Sequence, residues 1–481
     1  MPLIKSSLVY ELLSQAQSKP EAFALGFLAD NLKQQLTYEE LIQKIAPISN
    51  YLNEHCKIGD RIVLCFAPGI EFVVAFYACL FSGMIAVPTM PPLNKETAHR
   101  FNKILENSNC SLVLTTDDLI KKFSRLGLIN ILKHYSFTKP LHQLLNKVHH
   151  DIEIGNLDHR WVPIEKIPDS SKPLEIKETW EEPVFFQYTS GSTSQGKGVQ
   201  ISMKNLVTQF EHINYAINMN DFKITCATWL PPYHDMGLIG CILYPIYYKG
   251  TSIMMSPLDF LRTPFKFLQI ISNYKAEGFS APNFSFELLL KKVSDEQLES
   301  VDLHSLQWIL NGAEVIRLDT LKRFSERFKL DLVKFFPVYG LAEATLLVSG
   351  RKNKEHPHTY HLDIEAYRKG NFKEALDEAP YKEIVSNGEL HPDSKIIFLV
   401  PETLQLCEEG QIGEICISND CVTMGYWNEP SETEKALIQF NDVTYLRTGD
   451  DQTLIQSIDP KWKGALPTTF VLNKKGEIVF R

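Results

Sequence analysis

The stretch from Arg61 to Pro88 leaves this chain few choices of fold. Arg61-Ile62-Val63-Leu64-Cys65-Phe66 is a buried-strand pattern, Glu71 to Phe81 reads as a helix, and Ser82-Gly83 stops it ahead of a second apolar run, Met84-Ile85-Ala86-Val87-Pro88. Strand, helix and strand at this spacing make a β-α-β unit, whose two strands lie parallel in one sheet. From Phe72 to Met90 there is no charge, which is near the length that spans a bilayer. The Ser-Gly stop and the strand-like flanks read instead as a helix buried inside an α/β domain, with no transmembrane segment.

Helical and strand patterns alternate to about residue 145, as expected of a mostly parallel sheet with helices on its faces. The chain divides, on this reading, into residues 1–182 (a first α/β subdomain and a polar, proline-rich surface connection over Asp151 to Glu182), 183–350 (a nucleotide-binding α/β subdomain), 351–450 (a charged insertion and a β-rich subdomain) and 451–481 (an atypical tail). At 481 residues, 44% hydrophobic and 22% charged, there is enough chain for two or three domains. The net charge of -9 argues against a nucleic-acid partner. The nine cysteines include no C-x-x-C pair, and several sit in apolar runs. They read as reduced, buried thiols of a cytoplasmic protein rather than a disulfide framework or zinc site. Met1 to Tyr10 lacks the apolar core of a signal peptide.

The segment richest in chemistry is Tyr188-Thr189-Ser190-Gly191-Ser192-Thr193-Ser194-Gln195-Gly196-Lys197-Gly198, which follows the strand-like Val184-Phe185-Phe186-Gln187. Glycines let backbone N–H groups turn toward a ligand, and hydroxyls with a lysine add donors and a positive charge. The natural guest is a polyphosphate. Gly191 to Gly196-Lys197 matches most of a P-loop, but Gly198 stands where that motif needs Ser or Thr for Mg²⁺, and Val199-Gln200-Ile201 is extended rather than a helix start. This is an ATP loop of another kind. Three further clusters follow: Trp229 to Leu238 with its His234-Asp235 pair, Asn311-Gly312-Ala313-Glu314 after the strand Trp308-Ile309-Leu310, and Val338-Tyr339-Gly340-Leu341-Ala342-Glu343-Ala344-Thr345. The first places an imidazole on a Pro/Gly-bounded turn. The last joins an aromatic face to a carboxylate, although alone it also reads as an ordinary helix start with a solvated acid.

In this order and spacing the clusters resemble the adenylate-forming enzyme superfamily, most closely the long-chain fatty-acyl-AMP ligases, from about Ser6 to Asp450. The resemblance implies an α/β fold, the large N-terminal domain of such enzymes, with two α/β sheet subdomains and a small β subdomain. It implies that Thr189, Ser190, Gly191, Ser192, Thr193, Gly196 and Lys197 hold the ATP phosphates, that Glu343 binds Mg²⁺ and that Thr345 sits near the α-phosphate. It further implies an adenine slot at Gly312, Ala313, Tyr339 and Gly340, ribose contacts at Asp450, and His234 between the acyl carboxylate and the phosphates. Phe279 to Phe286 resembles the wall of an acyl channel. The implied reaction joins a fatty acid to AMP with loss of pyrophosphate, and then passes the acyl group to an acyl carrier protein. A polar insertion over Tyr367 to Ala379 favours acyl-AMP ligases over acyl-CoA ligases.

After Asp450 the sequence departs from the family pattern. The C-terminal lid domain, whose lysine contacts the adenylate, has no counterpart in Asp451 to Arg481. Thr468 to Leu472 and Glu477 to Phe480 read as a β-hairpin, with Lys474 and Lys475 in a solvated turn. Trp462 to Leu472 resembles the end of a thioredoxin-like domain, with a degenerate post-hinge hairpin as the other reading. The expectation is a chain that binds ATP and fatty acid and forms acyl-adenylate slowly or not at all. The rivals are a non-catalytic ATP- or adenylate-binding remnant, an acyl-CoA ligase and, with no C-x-x-C to support it, a redox protein.

Overall fold

The computed structural model describes residues 6–29, 32–123, 161–170, 172–177, 179–189, 196–217, 224–350, 356–368, 373–376, 379–400, 403–408, 413–448, 471–472 and 478–480. A nine-stranded sheet is built on five parallel strands: β9 (Thr225–Thr228), β10 (Thr251–Met255), β11 (Gly278–Ala281), β12 (Trp308–Asn311) and β13 (Phe335–Gly340). One flank adds β1 (Phe23–Ala29), parallel to β10, and β2 (Leu32–Thr37); the other adds antiparallel β14 (Leu347–Gly350) and β17 (Glu389–Leu390). A six-stranded sheet runs in the order β6-β5-β3-β4-β7-β8, from β3 (Arg61–Cys65), β4 (Ile85–Thr89), β5 (Leu112–Thr115), β6 (Trp161–Pro163), β7 (Pro183–Tyr188) and β8 (Gly198–Ser202). β3 and β4 are parallel, as the β-α-β pattern requires. A small antiparallel sheet joins β18 (Lys395–Leu399), β19 (Glu414–Ser418), β20 (Leu437–Phe440) and β21 (Val443–Arg447), while β15 (Thr359–Asp363) pairs with β16 (Tyr381–Val385). In the tail, β22 (Val471–Leu472) pairs antiparallel with β23 (Ile478–Phe480), the expected hairpin.

Two readings need correction. The stretch from Asp151 to Glu182 is more than a surface connection, because Trp161–Pro163 pairs in parallel with β5 and ends the six-stranded sheet. The boundary at 182/183 does not separate the sheets either. β1 and β2 cross into the nine-stranded sheet, and β7 and β8 complete the six-stranded one. Local periodicity marks a strand but carries no information about which distant strand it pairs with.

The uncharged helix is α3 (Ile70–Phe81); α1 (Leu8–Ser18) and α2 (Tyr38–His55) precede it, and α4 (Lys95–Ser108) follows. α3 touches β3 and β4 of one sheet and β1 of the other, and packs on α2 and α1. Surrounded in this way, it buries Phe72, Val73, Phe76, Tyr77, Leu80 and Phe81 almost completely, each burial stabilising by about 1.5–3 kcal/mol. No helix among the described residues is long and apolar enough to cross a membrane. All nine cysteines are free thiols.

Candidate active site

Parallel strands end on the same edge of a sheet, and in open α/β sheets ligands bind beyond those carboxyl ends. The turns after β9, β12 and β13 carry His234, Gly312 with Ala313, and Glu343 respectively, with Gly340 closing β13 itself. The parallel register therefore gathers three of the four motif clusters. The fourth comes from β7 in the other sheet. Gln187, near its end, donates from Nε2 to the Tyr233 carbonyl at 3.0 Å, which joins the phosphate-loop strand to the His234 turn.

The loop's two ends are pinned together. The Thr189 N–H donates to the Lys197 carbonyl at 3.1 Å, and a Cβ on Gly196 would stand 2.9 Å from the Thr189 carbonyl oxygen. Arg100 on α4 donates from Nη2 to the carbonyls of Tyr188 and Thr189, both at 3.3 Å. Ser190, Gly191, Ser192 and Thr193 lie outside the described residues, as does Asp450.

Lys197 forms an ion pair with Glu432, and its ammonium stands 4.9 Å from the centre of the Tyr426 ring. The same tyrosine donates its hydroxyl to Glu343 Oε1 at 2.9 Å. Tyr426 thus ties the expected phosphate lysine to the expected magnesium carboxylate. Hydrogen bonds from Lys197, then Lys435, lower the Glu432 carboxyl to about 2. The segment bearing Tyr426 is laced to β8: Gln200 N–H donates to Gly425 O at 3.1 Å and Trp427 N–H to Gly198 O at 2.8 Å. Thr423 N–H meets Glu343 O at 2.9 Å.

Around Glu343 the backbone is constrained. A Cβ on Gly340 would lie 1.7 Å from the Leu346 carbonyl oxygen, so only glycine fits there. Thr345 is buried at φ 67° and ψ -54°, and its hydroxyl donates to Cys421 O at 2.6 Å. A β-branched residue at positive φ is a strained one. Ala313 also has φ 67°, and Gly312 packs so closely on β13 that its Cβ would stand 2.8 Å from Val338 Cγ2. Tyr339 is half-buried against Ala344, Val348, Ile417 and Leu446.

His234 Nδ1 lies 2.6 Å from Asp235 Oδ1 with the imidazole 53% exposed, so a ligand can reach it. The Asp235 carboxylate raises the imidazole's pKa, against a smaller downward pull from burial. Asp235 Oδ1 also accepts from the Met236 N–H at the start of Met236–Leu243, which is wound as a π-helix. Pro245 explains the winding. It offers no N–H to the Cys241 carbonyl four residues back and its ring crowds that oxygen, which the Ser252 hydroxyl satisfies instead at 2.7 Å.

The buried polar groups fit a nucleotide and an acyl chain. Asn311 is fully buried at the end of β12, with both amide atoms lacking a hydrogen-bond partner among the described residues, as a base edge would require. Glu343 offers the oxygen donor that Mg²⁺ takes alongside substrate phosphates. Beyond Trp229, stacked on Phe260 at 4.1 Å, runs an aromatic wall of Phe267, Phe279 and Phe286. A separate cluster sets His212 Nε2 (3.0 Å) and His391 Nδ1 (2.6 Å) against Asp393 Oδ1, with the rings stacked at 4.0 Å and 15°. Stacked rings hold their nitrogens in parallel planes, so one ion would lie out of both. The cluster reads as a pin between the small β-sheet and the body.

The AMP-binding enzyme family model matches residues 12–427. The chain belongs to that family. This AMP-binding chain is 32% identical over 459 residues to a medium-chain-fatty-acid–[acyl-carrier-protein] ligase, JamA, of Moorena producens, covering 91% of this chain and 72% of the relative. It superposes on the fatty acid AMP ligase from Legionella pneumophila with a TM-score of 0.79 and 36% identity, covering 92% of this chain and 74% of the other. A fatty acyl-adenylate ligase from L. pneumophila, in complex with acyl adenylate and pyrophosphate, gives a TM-score of 0.79 and 33% identity over 95% and 79%. The α/β fold of the adenylate-forming N-terminal region is thus established. Arg100, Tyr426 and Glu432 escaped the sequence reading. For Tyr426 the sequence offers Gly425 ahead of an aromatic pair, and in the structure that glycine takes φ 118°.

Proposed function

We propose that this AMP-binding protein activates a fatty acid, of medium to long chain, as its acyl-adenylate and delivers the acyl group to a carrier-protein thiol, whose sulfur bonds the acyl carbon as AMP leaves. What carries the reading is the node in which Tyr426 joins Lys197 to Glu343 at the carboxyl edge of the parallel strands. A carboxylate oxygen attacks the α-phosphorus of ATP, that P–O bond forms, and the bond to the bridging oxygen breaks as pyrophosphate leaves. Two anions must meet in line, so positioning and charge cancellation do most of the work. Glu343 would hold Mg²⁺, which when bound would supply part of that cancellation. Lys197 and the loop N–H groups supply the rest, and Lys197 must leave Glu432 to do so. Gly312, Ala313, Asn311 and Tyr339 take the adenine, with Gly340 letting the chain pass close behind it. Thr345 borders the α-phosphate, Asp450 the ribose, and His234 the acyl carboxylate. The expectation of slow turnover rested on residues after Asp450, which lie almost wholly outside the described ones.

The relatives' names support the carrier protein as acceptor, and free thiols suit a reducing cytoplasm. The purified chain, given ATP, Mg²⁺ and decanoic acid, is expected to raise the mass of a phosphopantetheinylated carrier protein by one acyl group. Acyl-CoA made in preference from added CoA would overturn the choice of acceptor. ATP binding without acyl-adenylate would overturn the activity.

A further inference from the structure

We propose that Gln209 is a positioning residue for the segment carrying Glu343 and Thr345, an inference that rests on reading that segment as the phosphate and Mg²⁺ site. Gln209 lies on α5 (Met203–Ile217), the helix that follows β8 as the chain returns from the phosphate loop, and it is fully buried. Its Oε1 accepts two successive backbone N–H groups, Leu346 at 3.1 Å and Leu347 at 3.0 Å. These are the residues just past the strained Thr345. The Leu346 N–H also meets the Ala344 carbonyl at 2.8 Å. That contact closes a three-residue turn on Thr345, a rare positive-φ type. Such a conformation is strained and persists only where its surroundings over-determine it. Gln209 is one such determinant, and the Thr345 hydroxyl on Cys421 O is another. One turn earlier on the same face, Asn205 Nδ2 donates to Asp420 O at 2.8 Å and Val422 O at 3.2 Å. That loop leads on to Tyr426. A single buried polar face of α5 therefore sets both the turn behind Glu343 and the loop that brings Tyr426 to its carboxylate.

Two variants separate positioning from bulk stability. Gln209→Met keeps the length and removes the acceptor, whereas Gln209→Glu keeps an oxygen in its place. The first readout, amide hydrogen exchange of the peptide containing Leu346 and Leu347, is independent of turnover. The second is the Mg²⁺ dependence of fatty-acid-driven pyrophosphate release. Gln209→Met is expected to speed exchange at both amides, to raise the Mg²⁺ needed for half the maximal rate, and to lower kcat by about ten- to a hundredfold with KM for the fatty acid little changed. Gln209→Glu is expected to restore protection and most of the rate. Unchanged exchange at Leu346 and Leu347 in Gln209→Met would overturn the proposal. So would a lower unfolding midpoint with kcat and Mg²⁺ dependence untouched. A wild-type chain that releases no pyrophosphate refutes the parent reading instead, and the exchange result then decides Gln209 alone.

Discussion

Glu432 holds Lys197 through an ion pair whose carboxylate is half-buried, so a bound polyphosphate competes with it for the same ammonium. Glu432→Gln is expected to lower KM for ATP by about two- to fivefold, the range of one partly exposed pair, as measured by initial rates. The pair also predicts a pH response. Because the folded carboxyl is lowered to about 2, its stabilisation is full above the ordinary carboxylate range and is lost as pH falls toward 2. In the glutamine variant that loss disappears from the acid-unfolding curve. His234 has the opposite sign. Its pKa is raised by Asp235, so the pair's contribution is complete below the ordinary imidazole range and fades as pH rises through the raised midpoint. Asp235→Asn, which keeps an acceptor for the Met236 N–H, is expected to move the His234 ring titration to lower pH in NMR. An unmoved midpoint would remove Asp235 as the cause. His234 and Lys197 can be nominated from sequence because each sits in a short run of unusual composition. Tyr426 and Glu432 cannot, since their partners are far away in the chain.

At the scale of elements, the turn after β13 is the least tolerant piece of the site. Gly340→Ala would drive a methyl group to 1.7 Å from the Leu346 carbonyl oxygen, and neither atom is on a flexible side chain. The expected cost is about 1–3 kcal/mol or more, read as a lowered unfolding midpoint in denaturant, together with loss of Mg²⁺-dependent activity. A variant of wild-type stability would show that the turn relaxes freely. Strands β3, β4, β7 and β12 were all readable from short apolar runs in the sequence. The π-wound Met236–Leu243 was not, because Pro245 acts on it through a carbonyl that only the fold supplies with a substitute donor, Ser252.

Over the whole molecule, the sequence located the motifs but not the interleaving of the sheets. β1 and β2 belong with β10, and β7 and β8 with β4, because strand partnership is decided by packing across hundreds of residues. The candidate site lies where those sheets meet, at the contact Gln187 makes on Tyr233. The central claim is that Lys197 and Glu343, joined through Tyr426, serve one reaction between a fatty carboxylate and ATP. The most direct measurement is pyrophosphate release by the purified chain, with and without fatty acid, beside Lys197→Ala and Glu343→Gln. Release that needs both fatty acid and Mg²⁺ and is lost in both variants is the predicted result. Release indifferent to fatty acid, or surviving either substitution, would contradict it.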